Sequence, residues 1–264
     1  MITTDFAAGA PCWLDLGVPD PAGAQDFYGA VFGWRFESMD PESNRYGVFR
    51  SRGKVVAGLG SLDEEGARPA WMIYFNAADA DEVAGRVRRA GGGVRVEPFD
   101  ADGQARLAQF TDPLGAEFAV WQPRGSRGLE AVDESGSLMW VELFTTDSAA
   151  AVEFYGSLFG WSTREVPMPD GQGAYSIIRP AGGEENRAHG GIVQVGADFF
   201  DQHAGKPYFH PVFATADCDA AVARVSDGGG IVNMGPESTE GVGRLAVCSD
   251  PFGADFVVLA PDPS

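Results

Sequence analysis

The strongest constraint on this chain is that it repeats itself. The segment WLDLGVPDPAGAQDFYGAVFGW at residues 13–34 returns as WVELFTTDSAAAVEFYGSLFGW at 140–161. The offset is about 127 residues and roughly half of the window is identical, which unrelated segments do not reach. Further on, PAWMIYFNAADADEVAGRV from Pro69 matches PYFHPVFATADCDAAVARV from Pro207. GQARLAQFTDPLGAEFAV from Gly103 likewise matches GVGRLAVCSDPFGADFVV from Gly241, both pairs at an offset of about 138. The second half therefore carries an insertion of about 11 residues between Trp161 and Pro207. Residues 122–137, QPRGSRGLEAVDESGS, are polar and glycine-rich without apolar periodicity, as a covalent linker would be. The expected organisation is one domain at 1–124, a linker at 125–136 and a second domain at 137–264.

Both halves read alike locally. Asp20 followed by Pro21 predicts a helix start, Ala24, Phe27, Tyr28 and Val31 share one helical face, and Gly33 ends the helix. Asp147, then Ala151, Phe154, Tyr155 and Leu158, with Gly160, repeat the arrangement. An alternating strand precedes each helix, with Leu14, Leu16 and Val18 on one face and Trp13 and Asp15 on the other. Short strands at 46–50 and 55–59 follow, then a strand at 71–76, a helix at 79–90, and the turn sequences DPLG at Asp112 and DPFG at Asp250. Each half thus holds two copies of a strand, a helix and three strands. Four such βαβββ modules make an α+β chain, not a doubly wound sheet.

Nineteen basic against 38 acidic residues give a formal charge of −19, so the field repels nucleic-acid backbones and anionic membrane surfaces. No apolar stretch approaches the length of a membrane span, and the start MITTDFAAGAPCW lacks the pattern of a secretory leader, which predicts a cytoplasmic protein. Cys12, Cys218 and Cys248 show no metal-site or disulfide spacing and are expected to be core thiols.

The helix motif DFYGAVFGW, the strand and helix closed by a glycine run, and the hairpin DPLGAEF resemble the vicinal oxygen chelate superfamily of glyoxalase I, bleomycin-resistance proteins and extradiol dioxygenases. The opening W-x-[DE]-L of each half is most similar to two-domain actinobacterial members described as glyoxalase-like or hydroxylase-like. The resemblance implies tandem glyoxalase-like domains whose sheets curl around a cavity, with a divalent ion held by His, Gln or Glu on the first and last strands of each module. Carried over residue by residue, those positions are Trp13, Gly58, Met72 and Ala119 in the first half, and Trp140, Gly191, His210 and Val257 in the second. His210 alone is a metal-ligating type. No cofactor is therefore expected, and Trp13 and Trp140 would offer flat surfaces to an organic ligand. The alternative is a divalent ion, Fe, Zn or Mn, in a set of His210, Glu142 and His189.

Asp15 and Glu142 stand at matching positions two residues after the tryptophans. If their face lines a cavity, they are candidate catalytic carboxylates; otherwise they bond backbone or lie wet at a strand end. Trp13, Trp140, Met72, His210, Arg106 and Arg244 are the candidate ligand-binding residues. Arg106 and Arg244 could clamp an anionic ligand or pair with repeated acids such as Glu117 and Asp255. Tyr28 and Tyr155 are expected in the core, and His203 in an exposed loop. The leading expectation is a protein that binds a small aromatic or carbonyl-bearing molecule, as in sequestration of a toxic metabolite or antibiotic. Its rival is a lyase, isomerase or hydroxylase-like enzyme with Asp15 or Glu142 as base, and a pure interaction protein is a third possibility. Either a monomer or a homodimer is compatible with a tandem chain.

Overall fold

The computed structural model describes residues 1–39, 45–63, 66–168, 173–202 and 205–262, the side chains of 201 and 202 excepted; His203 lies outside them. The first half runs β1 (Pro11–Val18), α1 (Pro21–Phe32), β2 (Arg35–Ser38), β3 (Tyr46–Ser51), β4 (Lys54–Ser61), β5 (Ala70–Asn76), α2 (Ala80–Arg89), β6 (Gly93–Ala101), β7 (Ala105–Thr111) and β8 (Glu117–Pro123). The second repeats it as β9 (Leu138–Thr145), α3 (Ser148–Phe159), β10 (Ser162–Pro167), β11 (Ala174–Arg179), β12 (Gly190–Gln194), β13 (Tyr208–Ala214), α4 (Cys218–Asp227), β14 (Ile231–Thr239), β15 (Gly243–Ser249) and β16 (Asp255–Pro261). The insertion adds 3-10 helices at Glu185–Arg187 and Ala197–Gln202. The strands form two open eight-stranded mixed sheets, ordered β2-β3-β4-β1-β5-β8-β7-β6 and β10-β11-β12-β9-β13-β16-β15-β14. This is the α+β arrangement of four βαβββ modules.

The helices begin and end for the expected reasons. The Asp20 carboxylate accepts from the Gly23 amide at 3.1 Å, and Asp147 from the Ala150 amide at 2.9 Å, each satisfying a donor with no partner inside the helix. Gly33 and Gly160 close α1 and α3 at φ 73° and 71°, the left-handed region that a side chain disfavours. Among the described residues no helix is long and apolar enough to cross a membrane.

Packing divides the chain into two compact units, each drawn from both halves. We name them after the carboxylate each contains. The Asp15 unit comprises Trp13–Met72, Leu129–Met139 and His210–Ser264; the Glu142 unit comprises Met1–Cys12, Ile73–Gly128 and Trp140–Phe209. In the Asp15 unit the fully buried Tyr28 ring stacks on Trp34 at 5.6 Å and meets Trp71 edge-on at 5.4 Å. Its hydroxyl donates to Asp250 at 3.1 Å and accepts from the Trp71 indole N–H at 3.2 Å. In the Glu142 unit Tyr155 stacks on Trp161 at 5.0 Å and donates to Asp112 at 3.2 Å. Asp112 and Asp250 open the DPxG turns, each accepting from two turn amides at 2.9 Å, and burial raises both carboxyls above their ordinary range. The two repeated motifs are thus two ends of one buried contact, which explains the core positions of Tyr28 and Tyr155.

The residues expected to form a linker are packed. Leu129 and Ala131 are buried, the Glu130 amide donates to the Val55 carbonyl at 2.8 Å, and the Gly136 carbonyl accepts from the Trp34 indole at 2.8 Å. Two buried apolar side chains spaced by one residue were too short a signal among glycines and charges. Cys12, Cys218 and Cys248 are buried free thiols.

Candidate functional site

Alternation on the opening strands separates two faces. Leu14, Leu16 and Val18 on β1, and Val141 and Leu143 on β9, are wholly buried, whereas Asp15 and Glu142 are half-buried on the other face. On that face each carboxylate belongs to a hydrogen-bonded cluster. In the Asp15 unit, Asp15 Oδ1 accepts from both the Trp13 indole N–H and the Tyr46 hydroxyl, each at 2.8 Å. In the Glu142 unit the Trp140 indole N–H donates to the Tyr175 hydroxyl at 2.7 Å, which donates to Glu142 Oε1 at 2.7 Å. Glu142 is one methylene longer than Asp15, and the same three residue types connect in series instead of converging on one oxygen. Burial, then the negative charge of Glu142, push the Tyr175 phenol well above its ordinary range, so it stays a protonated donor.

A glycine makes room for each cluster. Gly58 on β4 lies in register with Asp15, and Gly191 on β12 with Glu142. A Cβ at Gly58 would overlap the Asp15 carboxylate and the Tyr46 hydroxyl, and one at Gly191 would overlap the Tyr175 ring and hydroxyl. Tyr46 and Tyr175 had escaped sequence reasoning. They occupy matching places, two residues before the partners of Gly58 and Gly191, and the segments YGVFR and YSIIR repeat around them. Aligning those two short strands across the insertion was the signal that could have found them.

The register also makes the positions carried over from the resemblance equivalent in all four modules. Trp13, Met72, Trp140 and His210 each stand two residues before the partner of Gly58, Ala119, Gly191 and Val257 respectively. Two glycines, two tryptophans, a methionine, an alanine and a valine do not furnish the oxygen and imidazole donors that a divalent ion needs. At Gly58 and Gly191 the space for a donor side chain is taken by the cluster itself. Among the described residues no three His, Cys, Asp or Glu side chains form a metal-holding group.

His189, Glu142 and His210 are therefore not brought together as a ligand set. His189 is buried edge-on against Trp161, at 5.5 Å, in the aromatic core around Tyr155, and neither ring nitrogen has a hydrogen-bond partner. Burial, reinforced by the chain's amino terminus, lowers its pKa to about 3. His210 is buried on β13, and Met72 is half-buried on β5.

Arg106 and Arg244 form ion pairs, but not with Glu117 and Asp255. Arg106 grips both oxygens of Asp81 at 2.7 and 3.0 Å, and Arg244 both oxygens of Asp219 at 2.7 Å. Strand Arg106 thus pins the first turn of α2, and Arg244 that of α4; these hydrogen bonds hold Asp81 and Asp219 below the usual carboxylate range. Glu117 instead pairs with Arg95, and Asp255 accepts from the Ser249 hydroxyl at 2.5 Å. The expected partners sat next in sequence to the hairpin, whereas the true ones come from helix starts that only the fold brings close. Two open clefts lie elsewhere. One of about 610 Å³ is lined by Glu165, Met168, Ser176 and Gln194, the other of about 510 Å³ by Val31, Gly136, Asp217 and Arg224. Neither includes the Trp–carboxylate–Tyr residues.

Comparison with known proteins agrees with the modular repeat. The chain is 36% identical over 271 residues to the anthracycline biosynthesis protein DnrV of Streptomyces peucetius, covering 97% of this chain and 94% of that one. It superposes on the Mn(II)-bound glyoxalase of Novosphingobium aromaticivorans with a TM-score of 0.66 at 17% identity, over 96% of this chain and 82% of the other. Against the 2,3-dioxygenase LapB of Pseudomonas sp. KL28 the TM-score is 0.64 at 15% identity, over 98% and 94%. Residues 12–120 and 137–258 match one family description, and the chain belongs to the glyoxalase/bleomycin resistance protein/dioxygenase superfamily.

Proposed function

We propose that the chain binds a small aromatic or carbonyl-bearing molecule at its two Trp–carboxylate–Tyr sites, without a metal ion organising them. The observation that carries this reading is the recurrence of the cluster. Twice, at matching strand positions, the chain places an indole N–H, a phenol and a carboxylate on the half-buried sheet face and removes a side chain to fit them. Aromatic walls with a few convergent polar groups are the usual make-up of a small-molecule site.

Native mass spectrometry of the purified protein tests it. A retained small molecule is expected, and Asp15→Asn combined with Glu142→Gln, which keep shape and remove charge, should release it. Failure of that substitution to alter what is retained would falsify the reading. Stoichiometric Fe, Zn or Mn that disappears with His210→Ala would overturn its metal-free part.

An enzymatic reading, as a lyase, isomerase or hydroxylase-like activity on the same molecule, gains from one feature. Tyr46 and Tyr175 bring a hydroxyl to each carboxylate, so a base and a proton donor stand side by side. For a general base, Glu142→Gln abolishes turnover while binding survives.

A further inference from the structure

The two clusters differ in what stands beside them. On β9 the face that carries Trp140 and Glu142 continues with Phe144, which lies opposite Val193 as Glu142 lies opposite Gly191. The Phe144 ring is stacked nearly parallel to Phe199, with centroids 5.2 Å apart and planes at 16°, and to Tyr208, at 5.7 Å and 22°. Phe200, almost wholly buried, supports both neighbours edge-on at 5.5 and 6.2 Å. Phe199 sits on the 3-10 helix Ala197–Gln202, within the insertion that only the second half carries, and is 42% exposed. An exposed phenylalanine on a short helix is costly in water, yet here it is held by a stacked Phe144 and an edge-on Phe200. At the corresponding place on β1 stands Gly17, which has no ring to offer.

Charge narrows the ligand further. Glu142 is the ionisable acid of the cluster, the chain carries a formal charge of −19, and Arg106 and Arg244 are each committed to an aspartate. An anionic group approaching Glu142 would meet a like charge, whereas a hydroxyl or amine would find an acceptor. Residues two apart on a strand are separated by about 6.6 Å, so a fused aromatic ring system can lie on the wall and still reach the carboxylate.

Resting on the ligand-site reading above, we infer that the Glu142 site is the selective one of the pair. It takes a flat aromatic molecule bearing a hydroxyl or amine donor, its ring against the Phe144–Phe199 stack and its donor toward Glu142. Phe199 is the specificity-determining residue.

Titration calorimetry on the full chain tests this with three probes: 2-naphthol as the flat donor, 2-naphthoate as its anionic counterpart and cyclohexanol as a donor without a flat ring. The wild type should bind 2-naphthol at one site per chain, with the other two at least about tenfold weaker. Phe199→Ala should weaken 2-naphthol about tenfold, as loss of one stacking partner implies. Phe199→Leu, which keeps apolar bulk without the ring, should fall between, and thermal unfolding confirms that each variant is folded. Undiminished binding by Phe199→Ala, equal affinity for 2-naphthoate, binding of 2-naphthol at two sites per chain, or no binding of 2-naphthol by the wild type overturns the proposal. The parent reading fails separately, on the mass-spectrometric result, which does not depend on ligand class or on Phe199.

Discussion

Counting back two residues from Gly191 gives His189, and from Gly58 gives Val56; both side chains are buried. The second half has put an imidazole where the first keeps an aliphatic group. Its pKa falls from 6.5 to about 3 because burial disfavours the charged form. A lowered histidine keeps the folded state neutral while the unfolded chain takes up a proton below about pH 6.5. Stability from this group is thus intact above that value and is lost as pH falls from 6.5 toward 3. Relative to His189→Val, the wild type should lose about 1.4 kcal/mol of unfolding free energy per pH unit below pH 6, measured by urea unfolding. A difference that does not vary with pH would show the ring to be hydrated or paired. The tyrosines give a second residue-scale expectation. Tyr155→Phe deprives Asp112 of one donor and should cost about 1–2 kcal/mol. Tyr28→Phe deprives Asp250 of its donor and also leaves the Trp71 indole without its acceptor, so its cost should be larger by about 1 kcal/mol. Equal losses would mean that the Trp71 hydrogen bond contributes nothing.

At the scale of elements, the strands decide more than the helices. α1 and α3 were readable because capping residues, apolar spacing and terminal glycines all agree locally. The strand clusters were half readable: Trp13 with Asp15, and Trp140 with Glu142, share a face by alternation. Tyr46 and Tyr175 arrive from a different strand, and only register says that a tyrosine ring crosses a glycine. Gly191→Ala should therefore act on the cluster, displacing the Tyr175 ring, costing about 1–3 kcal/mol as overpacking does and shifting Trp140 fluorescence. An unchanged emission spectrum would argue that the ring can move aside freely. The segment after β8 makes a comparable point. Its glycines and charges read as a free linker, yet Leu129 and Ala131 are buried and Glu130 accepts from the Val55 amide at 2.8 Å through its side chain. Limited proteolysis under native conditions should spare residues 129–137, and early cleavage there would contradict the packing.

At the scale of the whole molecule, the sheets follow the halves of the sequence and the compact units do not. Tyr28 comes from the first half and its partners Asp250 and Phe256 from the second. Likewise Tyr155 comes from the second half and Asp112 and Phe118 from the first. Neither half can complete a core by itself. A chain of residues 1–136 expressed alone should be unfolded or should self-associate, offering its own Asp112 to Tyr28 in another copy. Co-expression with residues 137–264 should restore a soluble complex with native-like near-ultraviolet dichroism. A stable monomeric half with native Tyr28 burial would show that the two halves of the sequence are less interdependent than the contacts within each unit imply.

Internal repetition determined a good deal without coordinates: four βαβββ modules, their helices and caps, and the inward Leu14, Leu16 and Val18. Each of these depends on spacing along the chain or on residue chemistry. What only the tertiary structure decided were the partners: Tyr46 and Tyr175 at the carboxylates, Asp81 and Asp219 on the arginines, His189 turned into the aromatic core, and modules from opposite halves sharing each unit. Those depend on register and packing between segments far apart in sequence, where many pairings satisfy the same local pattern and burial selects one.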